Sequence, residues 1–301
     1  MRLSVVTQPY NTQGKYRGGG AGPAALLASG LIEYLQAQGH LVRGPHEVSL
    51  SPAAEARYGN WLRVGTANGC LADEVSAAAA ADDFVLGLMA DCNSVLGVLG
   101  GLARSAEPAW PRRVGLVWID AHADYNTPET SPSGMLGGMP VATACGRCLH
   151  ALREQSGLRV PLQAPDLLMV GLRDVDPPEE EALAAAQVTC LSAEDLIEGS
   201  ERLAHAMRRL CAREDVVYVH VDLDILDPGV APAAGLPAPG GISGAQLGTG
   251  LAGLLAYPKV GALALVSYSP DRDPDGGTRR EVLQAILAGT AGLPAGDGGT
   301  R

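Results

Sequence analysis

The chain has 301 residues, and its 22 Lys and Arg against 33 Asp and Glu leave a formal charge of −11. Apolar residues make up 47% of it and mean hydropathy is +0.09, which is material for a large core and excludes a mostly disordered chain. An isoelectric point of about 5.0, with no Lys/Arg clusters, argues against nucleic acid or an anionic membrane surface as a partner. No run of 18 apolar residues is present to cross a bilayer.

The first residues, Met1 to Pro9, are too few and too soon interrupted by Pro9 to read as a secretory signal, so a cytoplasmic protein is expected. Six cysteines in 301 residues do not make a disulfide framework. Cys145-Gly146-Arg147-Cys148 stands alone, without the second pair or His pair that a zinc site needs.

In chain order, short apolar runs predict strands at 3–6, 83–89, Val114–Ile119, Leu167–Val170, 216–221 and Val260–Val266. Consecutive apolar positions suit strands buried on both faces of a parallel sheet. Helical patterns fall between them at 24–38, 93–103, 179–186, Ala193–Glu198, Glu201–Arg213 and Gly244–Leu255. This alternation predicts a single α/β domain over 1–301, with a mostly parallel central sheet, helices on both faces and a frayed Gly-rich tail at 292–301. The Gly- and Pro-rich stretch 232–241 reads as a shaped wall of a site.

Ligands of such sheets sit beyond the carboxyl ends of the strands. Val114–Ile119 runs directly into Asp120-Ala121-His122-Ala123-Asp124, and alternation along an extended segment puts Asp120, His122 and Asp124 on one face. The 216–221 run leads into Asp222-Leu223-Asp224 and then Asp227-Pro228. An imidazole among four carboxylates at neighbouring strand ends needs compensating positive charge, and one or two divalent cations supply it. The oxygen-rich donor set favours manganese over iron or zinc.

The string from Asp120 to Pro128 resembles the second metal motif of the ureohydrolases, the arginase and agmatinase family, and the string from His220 to Pro228 resembles the third. Gly18-Gly19-Gly20-Ala21-Gly22-Pro23 and Gly171-Leu172-Arg173-Asp174-Val175-Asp176 extend the likeness over nearly the whole chain. The resemblance implies an arginase-like three-layer fold, a homo-oligomer (trimer or hexamer), and two Mn²⁺ per subunit that activate a water for attack on a guanidinium carbon. Asp120 and Asp222 would bridge both ions. His122 and Asp224 would complete one and Asp124 would serve the other, Asp124 also relaying a proton to the departing amine, with His122 beside it in the catalytic set.

The family's first motif carries a His where Asp91-Cys92-Asn93-Ser94 has Cys92, so Cys92 is expected as the remaining metal ligand. A branch that hydrolyses N-hydroxy-arginine has a Cys there. That branch also shares the strings from Asn126 to Thr130 and from Leu136 to Met139, and has a His at the place of His220. Asp176 and Glu179 match residues that hold a substrate α-amino group, and Asn126 and Ser133 match residues that hold its α-carboxylate. Two positions depart from the pattern. The pocket His falls on Gly137, and the guanidinium-binding Glu falls on Ser267 or Val266, with Asp271 and Asp273 as candidates to replace it.

The expected function is a metallohydrolase of linear amidines that takes a small-molecule guanidino substrate, an arginine-like amino acid, and gives ornithine plus urea or hydroxyurea. The alternatives are a catalytically degenerate binding or regulatory protein of the same fold, and an enzyme for another guanidino or amidino substrate such as peptidyl arginine.

Overall fold

The apolar runs assemble into one sheet. The computed structural model describes residues 1–57, 59–104 and 111–293. Apart from a separate short antiparallel ribbon that pairs Tyr10–Asn11 with Gly14–Lys15, the strands of that sheet, in chain order, are β1 (Arg2–Gln8), β2 (Leu41–Glu47), β3 (Phe84–Met89), β4 (Val114–Ile119), β5 (Leu167–Val170), β6 (Thr189–Leu191), β7 (Val216–Asp222) and β8 (Val260–Val266). They lie in the order β2-β1-β3-β8-β7-β4-β5-β6 and pair in parallel throughout. The last strand in sequence, β8, is inserted between β3 and β7, with Val266 level with Met89 on one side and Asp222 on the other.

Strand alternation divides the core into two layers. β3 sends Phe84, Leu86 and Leu88 to one face, against Leu35, Met207, Leu251 and Ile286 of the helices Leu31–Ala37, Glu201–Arg213, Gly244–Leu255 and Gly277–Thr290. It sends Val85 and Met89 to the other, against Leu71, Leu99 and Val141 of the helices Asn60–Ala80, Val95–Ala103 and Pro140–Ala144. No described helix is long and apolar enough to cross a membrane.

All six predicted strands form, but several elements are absent from the sequence reading. The pattern over 24–38 is two helices, Gly22–Leu27 and Leu31–Ala37, divided at Gly30. β2 escapes notice because Arg43, Gly44, Pro45 and His46 interrupt its apolar character, which only an edge strand tolerates. The helix Asn60–Ala80 carries Gly65 and Gly69 in its interior and runs of alanine with little apolar contrast. The predicted tail also starts too early. Leu293 is buried in the core, and the remainder of that stretch, 294–301, lies outside the described residues.

Gly100 shows how closely the second layer is packed. A Cβ there would lie 2.7 Å from the backbone carbon of Gly157 and 2.8 Å from the Ser156 carbonyl oxygen. In a free helix Ala is favoured over Gly by about 1 kcal/mol, whereas forcing a methyl against immovable backbone costs about 1–3 kcal/mol. Gly100→Ala is therefore expected to lower the urea midpoint, a net loss of up to about 2 kcal/mol. An unchanged or raised midpoint would show that the 156–158 loop yields.

Candidate metal centre

Four neighbouring strands bring the chemistry to one edge of the sheet. Cys92 follows β3, Ser267 follows β8, Asp222 and Asp224 end β7, and Asp120, His122 and Asp124 follow β4. Three of these ends are turned by one device, a carboxylate that accepts the N–H two residues on. Asp91 takes the Asn93 N–H (3.0 Å), Asp120 that of His122 (2.7 Å) and Asp222 that of Asp224 (3.0 Å). Such Asx turns fold the chain as the ladder ends.

The expected extended segment over 120–124 is therefore not what forms. The chain bends at 120–122, and Asp124 takes a left-handed φ of 48°. The donors converge because the loops curl, and strand alternation has no part in it.

Cys92 Sγ lies 2.9 Å from Asp222 Oδ2 and 3.8 Å from Asp120 Oδ2. His122 Nδ1 lies 3.2 Å from Asp224 Oδ2 and 3.5 Å from Asp120 Oδ1. Two donor groups result, Cys92–Asp120–Asp222 and Asp120–His122–Asp224, each with its ligand atoms within 4.8 Å of one another. Asp120 belongs to both, and Asp124 is buried in the same cleft. All six residues line a cleft of about 450 Å³, and among the described residues no Lys or Arg lines it. A larger groove of about 810 Å³, beside the Glu201–Arg213 helix, holds none of these residues.

The electrostatics follow from the crowding. Burial, reinforced by the neighbouring carboxylates, pushes Asp120 and Asp124 well above the usual carboxylate range, and burial beside Asp224 lifts Asp222 to about 7. Burial and the Asp222 charge raise the Cys92 thiol. Burial alone would lower the His122 imidazole, but its bonds to Asp120 and Asp224 override that and lift it to about 11. Asp224 is lowered in spite of its burial, because His122 bonds it.

Without a cation the cleft must thus hold protons. The donor set, four carboxylates with one imidazole and one thiol, fits a pair of hard divalent ions with one soft contact. The surrounding backbone leaves them room. A Cβ at Gly235 would lie 2.7 Å from Asp224 Oδ2 and 3.0 Å from Asp222 Oδ1, so only glycine keeps this side of the donors clear.

Several supports are not evident from the sequence. Ser267, at a φ of 74°, donates to Asp222 Oδ2 at 2.6 Å. Arg173 Nη2 donates to the carbonyls of Asp224 (2.6 Å) and Ala238 (2.9 Å), which ties the 232–241 wall to the ligand loop. Gln8 donates to Asn68 (2.9 Å), which donates to the Asn93 carbonyl (2.8 Å) beside Cys92. Buried amides in apolar strands and helices were the available signal for this last chain.

On the opposite wall, Asn126 Nδ2 donates to Asp176 Oδ2 at 2.8 Å, and exposed Ser133 lines the cleft. Glu179 is buried. Its carboxylate accepts the N–H groups of Tyr125 (2.7 Å) and Asp176 (3.1 Å), so both oxygens already serve the loop. Of the two alignments for the missing Glu, the cleft residue is Ser267, while Val266 is buried in the core.

The candidates to replace that Glu are corrected. Asp273 accepts from Tyr268 Oη and the N–H groups of Thr278 and Arg279, capping the last helix, and neither it nor exposed Asp271 lines the cleft. Asp227, too, is outside the cleft, accepting the N–H groups of Gly229, Gly240 and Gly241.

Comparison with known proteins agrees with this layout. The family model described as "Arginase family" matches residues 1–290. The chain belongs to the arginase family. The arginase of Neurospora crassa is 32% identical over 235 residues, 74% of this chain and 66% of that protein. The arginase of Bacillus subtilis superposes with a TM-score of 0.82 at 26% identity, covering 96% of this chain and 98% of that one. An Entamoeba histolytica arginase solved with L-ornithine gives 0.84 at 25% identity, covering 96% and 97%. This arginase-family chain is a hydrolase, and its cleft carries two groups of candidate metal ligands.

Two measurements test the electrostatics. In chelated protein, Asp222 with a folded pKa of about 7 against an ordinary 3.8, and His122 with about 11 against 6.5, both bind protons more tightly when folded. Stability is then greatest below the unfolded values and declines as pH rises through the folded ones. The urea midpoint of chelated protein is expected to fall between about pH 6 and pH 8, and excess Mn²⁺ should reverse the slope, since the ligands bind deprotonated. A slope indifferent to the metal would remove the ion from this site. Cys92→His should tighten Mn²⁺ by about ten-fold, the lower end of the effect of changes around metal ligands. Equal affinity of the two proteins in a titration would make Cys92 a bystander.

Proposed function

We propose that this arginase-family hydrolase holds two Mn²⁺ ions and cleaves a C–N bond in the guanidino or hydroxyguanidino group of an arginine-like amino acid. The observation that carries the reading is the pair of donor groups sharing Asp120 in a cleft that no Lys or Arg lines. Such a cleft favours cations, first the metal ions and then a guanidinium. In this reading Asp120 and Asp222 would hold both ions, Cys92 and Asp124 would complete the set for one, and His122 and Asp224 for the other. Bound there, two divalent ions supply a water acidic enough to attack at neutral pH and stabilise the charge that develops.

The chain's own residues supply the rest. Asp124, buried in the cleft beside the other donors, would accept the proton of the attacking water and return it to the departing amine. Asp176 reads the α-amino group, held toward the cleft by Asn126 and by Glu179, which fixes its backbone N–H. Asn126 and Ser133 offer neutral donors to the α-carboxylate. The open space around a Cβ at Gly137, together with the Ser267 hydroxyl bonded to Asp222, supports a substrate whose reacting group is larger or less basic than plain guanidinium, as a hydroxyguanidino group is. A homo-oligomer, trimer or hexamer, and a cytoplasmic location complete the reading.

The test is metal analysis of the purified protein after loading with Mn²⁺, followed by assays for urea from arginine and for hydroxyurea from N-hydroxy-arginine. Two ions per chain with turnover of either substrate support the reading, and no metal with no turnover supports the binding-protein alternative. Asp176→Ala should cost the amino acid about 10–100-fold in kcat/KM, the loss of one charge-assisted hydrogen bond of about 1.5–3 kcal/mol. It should leave the deaminated analogue nearly unchanged. An equal loss for both would remove Asp176 from the α-amino site.

A further inference from the structure

Beneath the cleft, on the second face of the sheet, three fully buried rings form a unit that the proposed chemistry does not use. Trp118 of β4 and His220 of β7 are paired across the ladder, and their rings stack with centroids 4.1 Å apart and planes 3° apart. Tyr218, two residues before His220 on the same strand face, meets the His220 ring edge-on, and its Oη lies 2.7 Å from His220 Nδ1. A phenol so deeply buried keeps its proton, and a single hydrogen bond tethers the two rings whichever of them donates. All three residues are 0% exposed.

One bond leads from this unit to the cleft. Trp118 Nε1 donates to the backbone carbonyl of His122 at 3.2 Å. The His122 N–H is fixed by Asp120 at 2.7 Å, and Asp224 accepts the Ala121 N–H at 3.3 Å. The indole N–H is thus the contact that secures the carbonyl side of the His122 peptide from below. Its direction depends on the plane of the indole, and the His220 ring, tethered by Tyr218 and parallel to it, sets that plane.

We propose that Trp118 is a positioning residue for the ligand His122 and that His220, by stacking, holds Trp118 at the required angle. The inference rests on the two-ion reading above. It adds that the two ion sites have unequal support. The Asp120–His122–Asp224 site leans on the indole N–H, whereas the Cys92–Asp120–Asp222 site leans on Asn68 and Ser267 and does not.

The experiment replaces the indole N–H with sulfur, by installing β-(3-benzothienyl)alanine at position 118 alone, which keeps the ring volume and the stack. Trp118→Phe is the simpler companion, and His220→Phe keeps a ring where His220→Leu does not. Mn²⁺ titration of the chelated protein should show one of two sites weakened about 10–100-fold in the sulfur variant, the range for groups that orient metal ligands. The other site should be unchanged. His220→Leu should reproduce the effect and His220→Phe should restore the wild-type pattern. Hydrogen exchange of the amides around 120–124, read without any metal, should quicken in the sulfur variant, in Trp118→Phe and in His220→Leu, and not in His220→Phe.

Unchanged titration and unchanged exchange in the sulfur variant would overturn the proposal. So would equal weakening of both sites with a parallel fall in Tm, which marks general destabilisation. A wild-type protein that binds no Mn²⁺ would refute the two-ion reading, and exchange would still decide whether Trp118 holds the His122 loop.

Discussion

Mutual repulsion among buried carboxylates is the constraint to which the rest of this chain answers. Asp120, Asp124, Asp222 and Asp224 meet at one edge of the sheet, and each is almost wholly removed from water. Several nearby donors are turned toward them, among them the N–H groups of Ala121, His122 and Asp224, the Ser267 hydroxyl and the His122 imidazole. The guanidinium of Arg173, close enough to feel Asp224 and Asp120, is aimed at backbone carbonyls of the ligand loop and the wall and not at a carboxylate. The molecule has thus reserved its negative charge for something that comes from outside. The left-handed backbone of Asp124 and Ser267 belongs to the same economy, since conformational strain of this kind persists only where the surroundings overdetermine it.

Cys92 shifts the balance in a specific direction. An imidazole in its place would be a neutral donor, whereas a thiolate adds one more negative charge to a site already crowded with them. Ser267 shifts it the other way, lacking the carboxylate that the resemblance implies at its place, and Gly137 leaves open space where the resemblance implies an imidazole. The three departures therefore act together on charge and space in one cleft. They are more coherent as a change in what is bound than as three separate losses.

Much of the fold is legible because parallel strands buried on both faces must be apolar at consecutive positions, and six such runs stand out. What is hidden is hidden for physical reasons. β2 is an edge strand, so Gly44 and Pro45 are allowed in it and blur it, while the helix over 60–80 is packed through glycine and alanine, which carry little periodic contrast. The ligand set is legible because Asp and His directly after a buried strand have few other reasons to be there. The geometry is not legible, because alternation suggests a straight segment and cannot reveal that Asp120 caps its own turn. Supports such as Asn68 and Gln8 are beyond reach, being ordinary amides far from the motifs, whose partners only the fold selects.

The central position of β8 has a consequence for how the molecule comes into being. β3 and β7, which carry Cys92 and Asp222, do not touch each other in the ladder, and β8 alone joins them. A nascent chain that has emerged only through residue 259 has every expected metal ligand but lacks the strand that brings the two halves of the set together. Contacts of such long sequence separation form late and slowly. Until β8 docks, the flanks of β3 and β7 are open edges of apolar sheet, a surface that invites pairing with other chains. Closure of the gap seals those edges and completes the cleft in a single event, so occupancy of the ion site would report that synthesis and folding of the sheet are finished.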